Sequence, residues 1–133
     1  MSDMTIGDIT GLLPEDSILE QGDVWFIDMG QNEGHEQNGE RPVLIISTNN
    51  HNEQSKTPMV CPCTTSKHKG KNRYHVAVGT WENDKTIVTY ANGSQIYSMS
   101  SKRFKGRRKI GRADKKQLMK VVKIAKKLMW VKK

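Results

Sequence analysis

Two short apolar runs separated by a long polar loop are the feature that most constrains the fold of this chain. Residues 24–29 and 43–46 are rich in β-branched and aromatic side chains and are bounded by glycine or proline, which is typical of strands. The loop between them is too long for a tight hairpin, and such loops tend to be functional or disordered. Arg41 stands directly before Pro42, which favours an extended backbone, so its guanidinium is expected to project from the mouth of the second strand.

The middle of the chain continues with short strand-like segments. A polar stretch at 49–56 is turn-like, and the Asn92-Gly93 pair marks a turn between two later segments. Pro62 indicates an edge strand or a bulge, because proline cannot donate to a sheet ladder. Many short strands at close spacing favour a mainly β fold, a small antiparallel barrel. The four further strands are predicted at residues 57–66, 74–80, 86–91 and 95–99.

The end of the chain is strongly basic. Residues 101–112 hold seven basic side chains and are predicted to form a basic hairpin or loop. An amphipathic helix follows at about 114–130, with Asp114 as its N-cap and Gln117 as the capping partner. We expect it to close one side of the barrel, while its lysines form either a solvated face or a binding face. Its apolar positions are Leu118, Val121, Val122, Ala125, Leu128 and Met129.

Charge and length limit the possible functions. The chain has 133 residues, enough for one domain with a real core, and a formal net charge of +8. Residues 1–54 carry eleven acidic groups and one basic group, whereas residues 101–133 carry fifteen basic groups and one acidic group. This asymmetry suits a polyanionic partner: nucleic acid, an acidic protein segment or anionic lipid.

Location and domain limits follow from the same pass along the sequence. No apolar run approaches the roughly 20 residues that span a bilayer, so no membrane insertion is expected. Residues 1–20 lack the features of a signal peptide and are predicted to be a loose arm, which favours a cytoplasmic protein. The barrel domain is expected to cover residues 21–130.

The two cysteines and four histidines give no sign of a metal site. On an extended strand Cys61 and Cys63 would point to one face, too far apart for a comfortable disulfide, and we interpret them as small buried hydrophobic residues. The histidines show no ligand spacing with them. No metal and no other cofactor is expected.

Three segments together resemble a known family. Residues 22–26 (GDVWF) and 34–44 (GHEQNGERPVL) resemble the opening of the MazF/PemK-type toxins of bacterial toxin-antitoxin pairs, which typically have a Gly-Asp start, a Gly-Ser-Glu-Gln loop and an Arg-Pro-Val strand. Residues 62–65 (PCTT) are the second match, and Gln95-Ile96 is a weaker third. The likeness extends over about residues 21–130.

The resemblance implies a small SH3-like barrel of the CcdB/MazF type that is dimeric and cuts single-stranded RNA at short sequences without a metal. In that family the arginine before the Pro-Val strand and the threonine of the Pro-Cys-Thr-Thr strand are catalytic, which implies the same roles for Arg41 and Thr64. Two positions differ: His35 stands where serine is usual, and Ser94 replaces the aspartate of a common Asp-Gln pair.

The residue types fit metal-free RNA cleavage. The reaction needs the 2′-hydroxyl deprotonated, the charge of the phosphorane stabilised and the leaving oxygen protonated. The guanidinium of Arg41 matches phosphate oxygens, and it could instead simply pair with a nearby glutamate. Thr64 is too weak a base and is assigned a hydrogen bond to the scissile phosphate. Glu36 could orient Arg41, accept a proton or be a solvated carboxylate.

Further residues are candidate RNA contacts. Gln37 could contact a base edge, since amides pair with bases bidentately, and His35 could move protons near neutral pH. Basic side chains near the end of the Thr64 strand would follow the phosphates. One or two of Trp25, Tyr74, Trp81 and Tyr97 could stack on unpaired bases. The full set of predicted RNA-binding residues is His35, Gln37, Thr65, Ser66, Lys67, His68, Lys69 and Gln95.

The resulting hypothesis is the toxin of a toxin-antitoxin system, an endoribonuclease that cleaves single-stranded mRNA to a 2′,3′-cyclic phosphate and a 5′-hydroxyl. An acidic, partly disordered antitoxin protein is its expected inhibitor, and a homodimer its expected state. Two alternatives stay open. One is a non-enzymatic, CcdB-like inhibitor of DNA gyrase that would use Trp130, and the other is a plain RNA-binding barrel.

Overall fold

The fold is a curled antiparallel sheet with a helix at its C-terminal end. The computed structural model describes residues 19–30, 39–67, 72–129 and 131. Two α-helices, α1 (Asn49–Ser55) and α2 (Lys115–Leu128), and one short 3-10 helix (Ser101–Phe104) accompany the strands. The strands are β1 (Asp23–Asp28), β2 (Glu40–Ile45), β3 (Met59–Ser66), β4 (His75–Gly79), β5 (Val88–Asn92), β6 (Tyr97–Ser98) and β7 (Arg108–Arg112).

The strand order is β4-β5-β3-β2-β1-β7, and β6 pairs with the beginning of β3. Adjacent strands of the described sheet are antiparallel. The curled sheet and its C-terminal helix confirm the predicted fold class, a mainly β, barrel-like domain. All six predicted strands are present, with ends shifted by a few residues.

Strand β3 is central, so the prediction that Pro62 marks an edge strand is wrong. Pro62 pairs with Val43 of β2 on one side. On the other side β3 changes neighbours: Val60 pairs with β6, and Cys63 begins the pairing with β5. Pro62 lies between the residues that pair with β6 and those that pair with β5. Its missing backbone N–H therefore does not remove a hydrogen bond from either ladder.

The segment predicted to be turn-like, residues 49–56, contains the helix α1. The Thr48 side chain caps its first turn by accepting from the backbone N–H of His51, and Lys56 ends it with a left-handed φ of 59°. Asn52 is buried and donates to the backbone carbonyls of Leu19 and Ser47. The helix is short and polar, so it lacks the apolar period that identifies longer helices.

The basic segment 101–112 forms the 3-10 helix and a seventh strand, rather than only a hairpin or loop. Strand β7 pairs with β1, with Val24 opposite Gly111 and Phe26 opposite Arg108, and a bulge lies between these pairs. The strand ends the sheet on this side. Arginine and lysine suit that position, because charged side chains protect an exposed edge from pairing with other chains.

The core has two apolar clusters, one on each face of the sheet. Alternate residues of the inner strands enter different clusters: Val24 and Leu44 pack in the one that faces α2, and Ile27 and Val43 pack in the other. Burial on both faces explains why these strands are continuous apolar runs in the sequence. Leu19, which was assigned to the N-terminal arm, is buried in the second cluster.

Helix α2 covers the first cluster with the buried Val121 and the partly buried Leu118 and Val122. Asp114 is its N-cap, as predicted, and accepts from the backbone N–H of Lys116. The predicted capping partner is wrong: the buried Oε1 of Gln117 has no hydrogen-bond partner within the described part of the chain. None of the helices in the described ranges is long and apolar enough to span a membrane.

The two cysteines are free and buried, which confirms their interpretation as small core residues. Burial raises the pKa of Cys61 to about 12 and raises the pKa of Cys63 further. Both thiols therefore stay protonated near neutral pH and are poor nucleophiles. Among the residues that the structure describes, no group of three or more His, Cys, Asp or Glu side chains could hold a metal ion.

Candidate active site

A cavity of about 570 Å³ opens at one end of the curled sheet. Strands β1, β2, β3 and β7 and the loop after β4 all contribute to its wall, so it collects residues that are far apart in the sequence. We call it the main cavity. It is lined by Phe26, Glu40, Arg41, Pro42, Thr64, Thr65, Trp81, Glu82, Asn83, Arg108 and Ile110.

The register of β2 against β3 brings Arg41 and Thr64 to the same level. The pair Val43–Pro62 ends this ladder on the side of the main cavity. Arg41 lies two residues before Val43, and Thr64 lies two residues after Pro62. Since the strands are antiparallel, both positions extend the ladder in the same direction and meet at the main cavity.

Arg41 is held by the backbone of the neighbouring strand. Its Nη1 donates to the carbonyl oxygen of Cys63 at 3.3 Å, and the side chain is half-buried. Cys63 is the residue before Thr64, so the anchor of the guanidinium and the threonine hydroxyl belong to consecutive residues of β3. The planar guanidinium matches the oxygen atoms of a phosphate, so this side chain is chemically suited to an anion at the main cavity.

The aromatic part of the wall comes from Phe26 and Trp81. Phe26 lies between Pro42 of β2 and Arg108 of β7 in the sheet register, so these three side chains share one face. Trp81 is half-buried and, like Ile110, packs against the first core cluster. The main cavity therefore combines apolar ring surface with polar and charged groups.

The charged side chains that line the main cavity are of both signs. Glu40 pairs with Arg107 at 2.9 Å, which draws this carboxylate toward β7. The side chain of Arg108, the next residue, is exposed and makes no hydrogen bond or ion pair with the described residues. Two arginines, Arg41 and Arg108, therefore line the main cavity, and they come from the two strands that flank β1.

A small hydrogen-bonded turn fixes the loop after β4. Oδ1 of Asp84 accepts from the backbone N–H of Thr86 at 2.9 Å and from its hydroxyl at 2.6 Å. These bonds, with a smaller contribution from Lys67, hold the pKa of Asp84 below its usual value. Lys67 pairs with the same carboxylate at 3.5 Å. The turn supports Glu82 and Asn83 at the rim of the main cavity.

The predicted site residues divide into three groups. Arg41, Thr64 and Thr65 line the main cavity. Ser66 and Lys67 continue β3 beyond it, and Gln95 lies elsewhere, with a buried Oε1 that no described residue hydrogen-bonds. The other predicted residues lie outside the described residues: Glu36, His35, Gln37, His68 and Lys69, together with residues 1–18 of the arm and Trp130 of the alternative hypothesis.

Of the four candidate stacking residues, Trp81 alone lines the main cavity. Trp25 is buried, 5% exposed, and packs edge-on against Phe104 with ring centroids 5.8 Å apart. Tyr97 packs against the second core cluster, and Tyr74 lies under the guanidinium of Arg73 on another part of the surface.

Arg108 and Phe26 line the main cavity and were missed as site residues. In the sequence Arg108 is one of seven basic residues in twelve, and nothing in that run distinguishes it from its neighbours. Phe26 belongs to an apolar run that predicts a strand, and only the pairing of β1 with β7 brings it beside Arg108. No local pattern could have identified this pair.

Comparison with known proteins identifies the family. The family of PemK-like, MazF-like toxins of type II toxin-antitoxin systems matches residues 20–129. The chain therefore belongs to this toxin family, and the resemblance seen in the sequence is confirmed.

Three curated relatives agree with this assignment. Endoribonuclease MazF of Staphylococcus epidermidis is 33% identical over 90 residues, which are 66% of this chain and 73% of that protein. Endoribonuclease PemK of Escherichia coli is 37% identical over 54 residues, 41% of each protein. Endoribonuclease EndoA of Bacillus subtilis is 36% identical over 75 residues. The matched stretch spans 41% of PemK and 65% of EndoA, less than two thirds of either.

Solved structures show the same fold. MazF from Deinococcus radiodurans superposes with a TM-score of 0.70 at 19% identity, covering 86% of this chain and 98% of that one. An endoribonuclease from a mycobacterial species, solved in complex with its cognate antitoxin, has a TM-score of 0.63 at 20% identity and covers 85% of this chain and 99% of that one. At such identities the likeness concerns the fold alone.

Proposed function

We propose that this chain is an endoribonuclease toxin that cleaves single-stranded mRNA at specific short sequences and needs no metal ion. One observation carries the proposal: Arg41 and Thr64, from separate strands, line the same cavity. Membership of the MazF/PemK family and the naming of its relatives as endoribonucleases support the same activity.

The reaction is a transesterification within the RNA strand. The 2′-hydroxyl loses its proton to a base and its oxygen attacks the adjacent phosphorus. The bond from phosphorus to the 5′-oxygen then breaks, and that oxygen takes up a proton. The products are a 2′,3′-cyclic phosphate and a 5′-hydroxyl, and the step needs no oxidant, reductant or water.

Arg41 would stabilise the charge that develops on the phosphorane oxygens. A positioned donor of this kind contributes about 3 to 4 kcal/mol in enzymes with oxyanion sites. Anchoring by the Cys63 carbonyl limits the rotation of the guanidinium, so little order has to be created when the substrate binds. Thr64 would donate a hydrogen bond to the scissile phosphate. Glu36 and His35 stay candidates for orienting Arg41 and moving protons.

Phosphate contacts beyond the cut would come from basic side chains near the main cavity. Arg108 lines it, and Lys67 follows Ser66 at the end of β3. Together with Thr65, Gln37, His68 and Lys69 they would hold the strand on either side of the scissile bond. Affinity from such contacts falls with increasing salt.

The proposed inhibitor is an acidic antitoxin segment, and the charge pattern of α2 supports it. Leu118, Met119 and Val122 form the floor of a groove of about 620 Å³ along this helix. Lysines surround that floor on both sides, which complements an amphipathic acidic segment that folds on binding. They are Lys115, Lys120, Lys123, Lys126 and Lys127.

A homodimer in the cytoplasm completes the proposal. The exposed large hydrophobic residues of the described chain all belong to α2 or the residues after it: Met119, Leu128, Met129 and Val131. A second copy would cover Leu128, Met129 and Val131, which lie outside the α2 groove, and sedimentation velocity across a concentration series tests the assembly. The cytoplasm is the expected location because mRNA is translated there.

The activity is tested by incubating the purified protein with a long single-stranded RNA in EDTA. We expect fragments that end in 2′,3′-cyclic phosphate and 5′-hydroxyl groups, and their 5′ ends, once sequenced, give the recognised bases. Arg41→Ala or Thr64→Ala should lower the rate by at least about 100-fold, as expected for loss of a positioned donor. Arg73→Ala and Thr57→Ala, whose side chains lie outside the main cavity, are matched controls.

Three results would contradict the proposal. Cleavage that survives both Arg41→Ala and Thr64→Ala would remove these residues from the reaction. RNA that is bound but stays whole would indicate a plain RNA-binding barrel. RNA that is neither bound nor cut, with inhibition of DNA supercoiling by gyrase, would indicate the CcdB-like alternative.

A further inference from the structure

Trp81 occupies an unusual position between the two ends of the sheet. Strands β4 and β7 are the first and the last in the strand order and do not pair with each other within the described residues. The indole spans the space between them: its six-membered ring lies against Gly79 at the end of β4, and its five-membered ring lies against Gly111 of β7. The indole of Trp81 thus closes the wall of the main cavity between β4 and β7, where no backbone ladder joins the two strands.

Both glycines are needed for this arrangement. A Cβ atom at Gly79 would lie 2.2 Å from Cζ2 of Trp81, and one at Gly111 would lie 2.2 Å from Cε2. Both distances are far below van der Waals contact, so any larger residue at either position would displace the ring. The backbone on both sides therefore fixes where the indole lies.

The indole is not simply a core residue. Half-buried, it reaches the main cavity beside Arg108, while Arg41 and Thr64 line the same cavity from β2 and β3. An aromatic ring whose position is fixed, next to a place where a phosphate binds, suits the unpaired base attached to that phosphate.

The loop after Trp81 adds groups that could recognise the edge of such a base. Glu82 and Asn83 line the main cavity directly after the ring, and the Asp84 turn fixes their loop. An amide can donate and accept at once, and a carboxylate accepts from an exocyclic amine. Stacking surface and edge contacts thus come from three consecutive residues.

We infer that Trp81 is the platform on which an unpaired base next to the scissile phosphate stacks, and that it contributes to the choice of cleavage site. This inference rests on the proposed ribonuclease activity and deepens it, because it defines the substrate as RNA with an unstacked base at the cut. Duplex RNA, whose bases are already stacked on each other, would be a poor substrate.

The test is a cycle that changes the protein and the RNA separately. The protein variants are Trp81→Leu and the conservative Trp81→Phe, and the RNA is a short oligonucleotide containing the mapped site. Two further oligonucleotides are abasic at the nucleotide 5′ or 3′ of the cut, with its ribose and phosphate kept. The measured quantity is kcat/KM for cleavage.

On intact RNA we expect Trp81→Leu to lower kcat/KM by about 10- to 100-fold, the range found when stacking on one base is lost. Trp81→Phe should restore most of the loss. With one of the two abasic oligonucleotides, kcat/KM of the wild-type protein should fall by a similar factor. With the same oligonucleotide, kcat/KM of Trp81→Leu should fall hardly any further. The comparison of intact with abasic RNA uses the wild-type protein, so it tests stacking even if Trp81→Leu folds poorly.

The opposite pattern would overturn the inference. If Trp81→Leu slows cleavage of intact and abasic RNA by the same factor, the ring only supports the wall. If the wild-type protein cleaves both abasic oligonucleotides as fast as intact RNA, no base stacks there.

Failure of the proposed function can be told apart from failure of this inference. A wild-type protein that cleaves no RNA contradicts the proposed function, and fluorescence then tests the platform directly. The part of the emission that Trp81→Phe removes should be quenched by single-stranded RNA and not by duplex RNA. Equal quenching by both, or by neither, would contradict stacking on Trp81.

Discussion

Two neighbouring basic segments of this chain, β7 and α2, use their charge in different ways. In β7 and just before it, three basic side chains are in ion pairs with acids of β1, β2 or the residue Glu20: Arg107, Lys109 and Arg112. The lysines of α2 make no ion pair within the described part of the chain, and they surround an apolar groove.

The difference shows that the basic residues of a segment must be separated into those in ion pairs with acids of the fold and those without such a pair. Only the second kind is available to bind a partner. Asp23 is the clearest case: its carboxylate is 5% exposed and lies 2.7 Å from Arg112 and 3.4 Å from Lys109. These charges hold β7 to β1. Arg108 lies in the same strand but faces the main cavity, and it differs from its neighbours only in the direction of its side chain.

The strongest test of this division is Arg108→Ala. If Arg108 binds a phosphate oxygen, we expect cleavage of single-stranded RNA by Arg108→Ala to slow by about 100-fold. This factor corresponds to the upper range of the free energy that a charge-assisted hydrogen bond contributes. Unfolding in urea should change little, because the side chain is exposed. Lys109→Ala is the matched control, since it removes a neighbouring charge that is used in the fold and should leave cleavage nearly intact.

Asp23→Asn tests the ion-paired half of the comparison. The substitution leaves Arg112 and Lys109 without their carboxylate, and we expect a loss of about 2 kcal/mol in the free energy of unfolding. Urea denaturation followed by circular dichroism measures it. Glu40→Gln removes the exposed pair with Arg107 and should cost less than about 1 kcal/mol. Equal losses in the two variants would contradict the role given to the buried carboxylate.

The smallest effects are expected on α2. Replacing Lys120 or Lys123 by glutamine should change stability by no more than about 0.5 kcal/mol, since both side chains are exposed. Cleavage should stay the same, because neither residue lines the main cavity. The affinity for an acidic antitoxin segment should fall about threefold for each lysine and depend less on salt. Slower cleavage in these variants would place RNA on α2 as well.

The sequence allowed the strands of the inner sheet to be predicted well, for a physical reason. Strands β1, β2 and β3 are buried on both faces, so their apolar runs are long enough to stand out. Strand β7 and helix α1 could not be found in this way. Charged residues at a sheet edge and a short polar helix get their stability from tertiary contacts, as Asn52 does through the carbonyls of Leu19 and Ser47.

The candidate site was predictable only in part. Arg41 and Thr64 were found because they belong to motifs, and the register of β2 and β3 brings them together. Arg108, Phe26 and the position of Trp81 depend on the pairing of β7 with β1, and Gly79 and Gly111 show their importance only when the indole lies against both. Contacts between distant segments leave no local pattern.

The anchor of Arg41 has a consequence for how this protein can change over time. The acceptor of its hydrogen bond is a main-chain oxygen, that of Cys63. Every amino acid carries that oxygen, so replacing Cys63 by another small residue leaves the bond intact as long as the strand keeps its path. The orientation of the guanidinium is therefore robust to mutation at the very residue that supports it, and selection can act on the surrounding side chains without disturbing it.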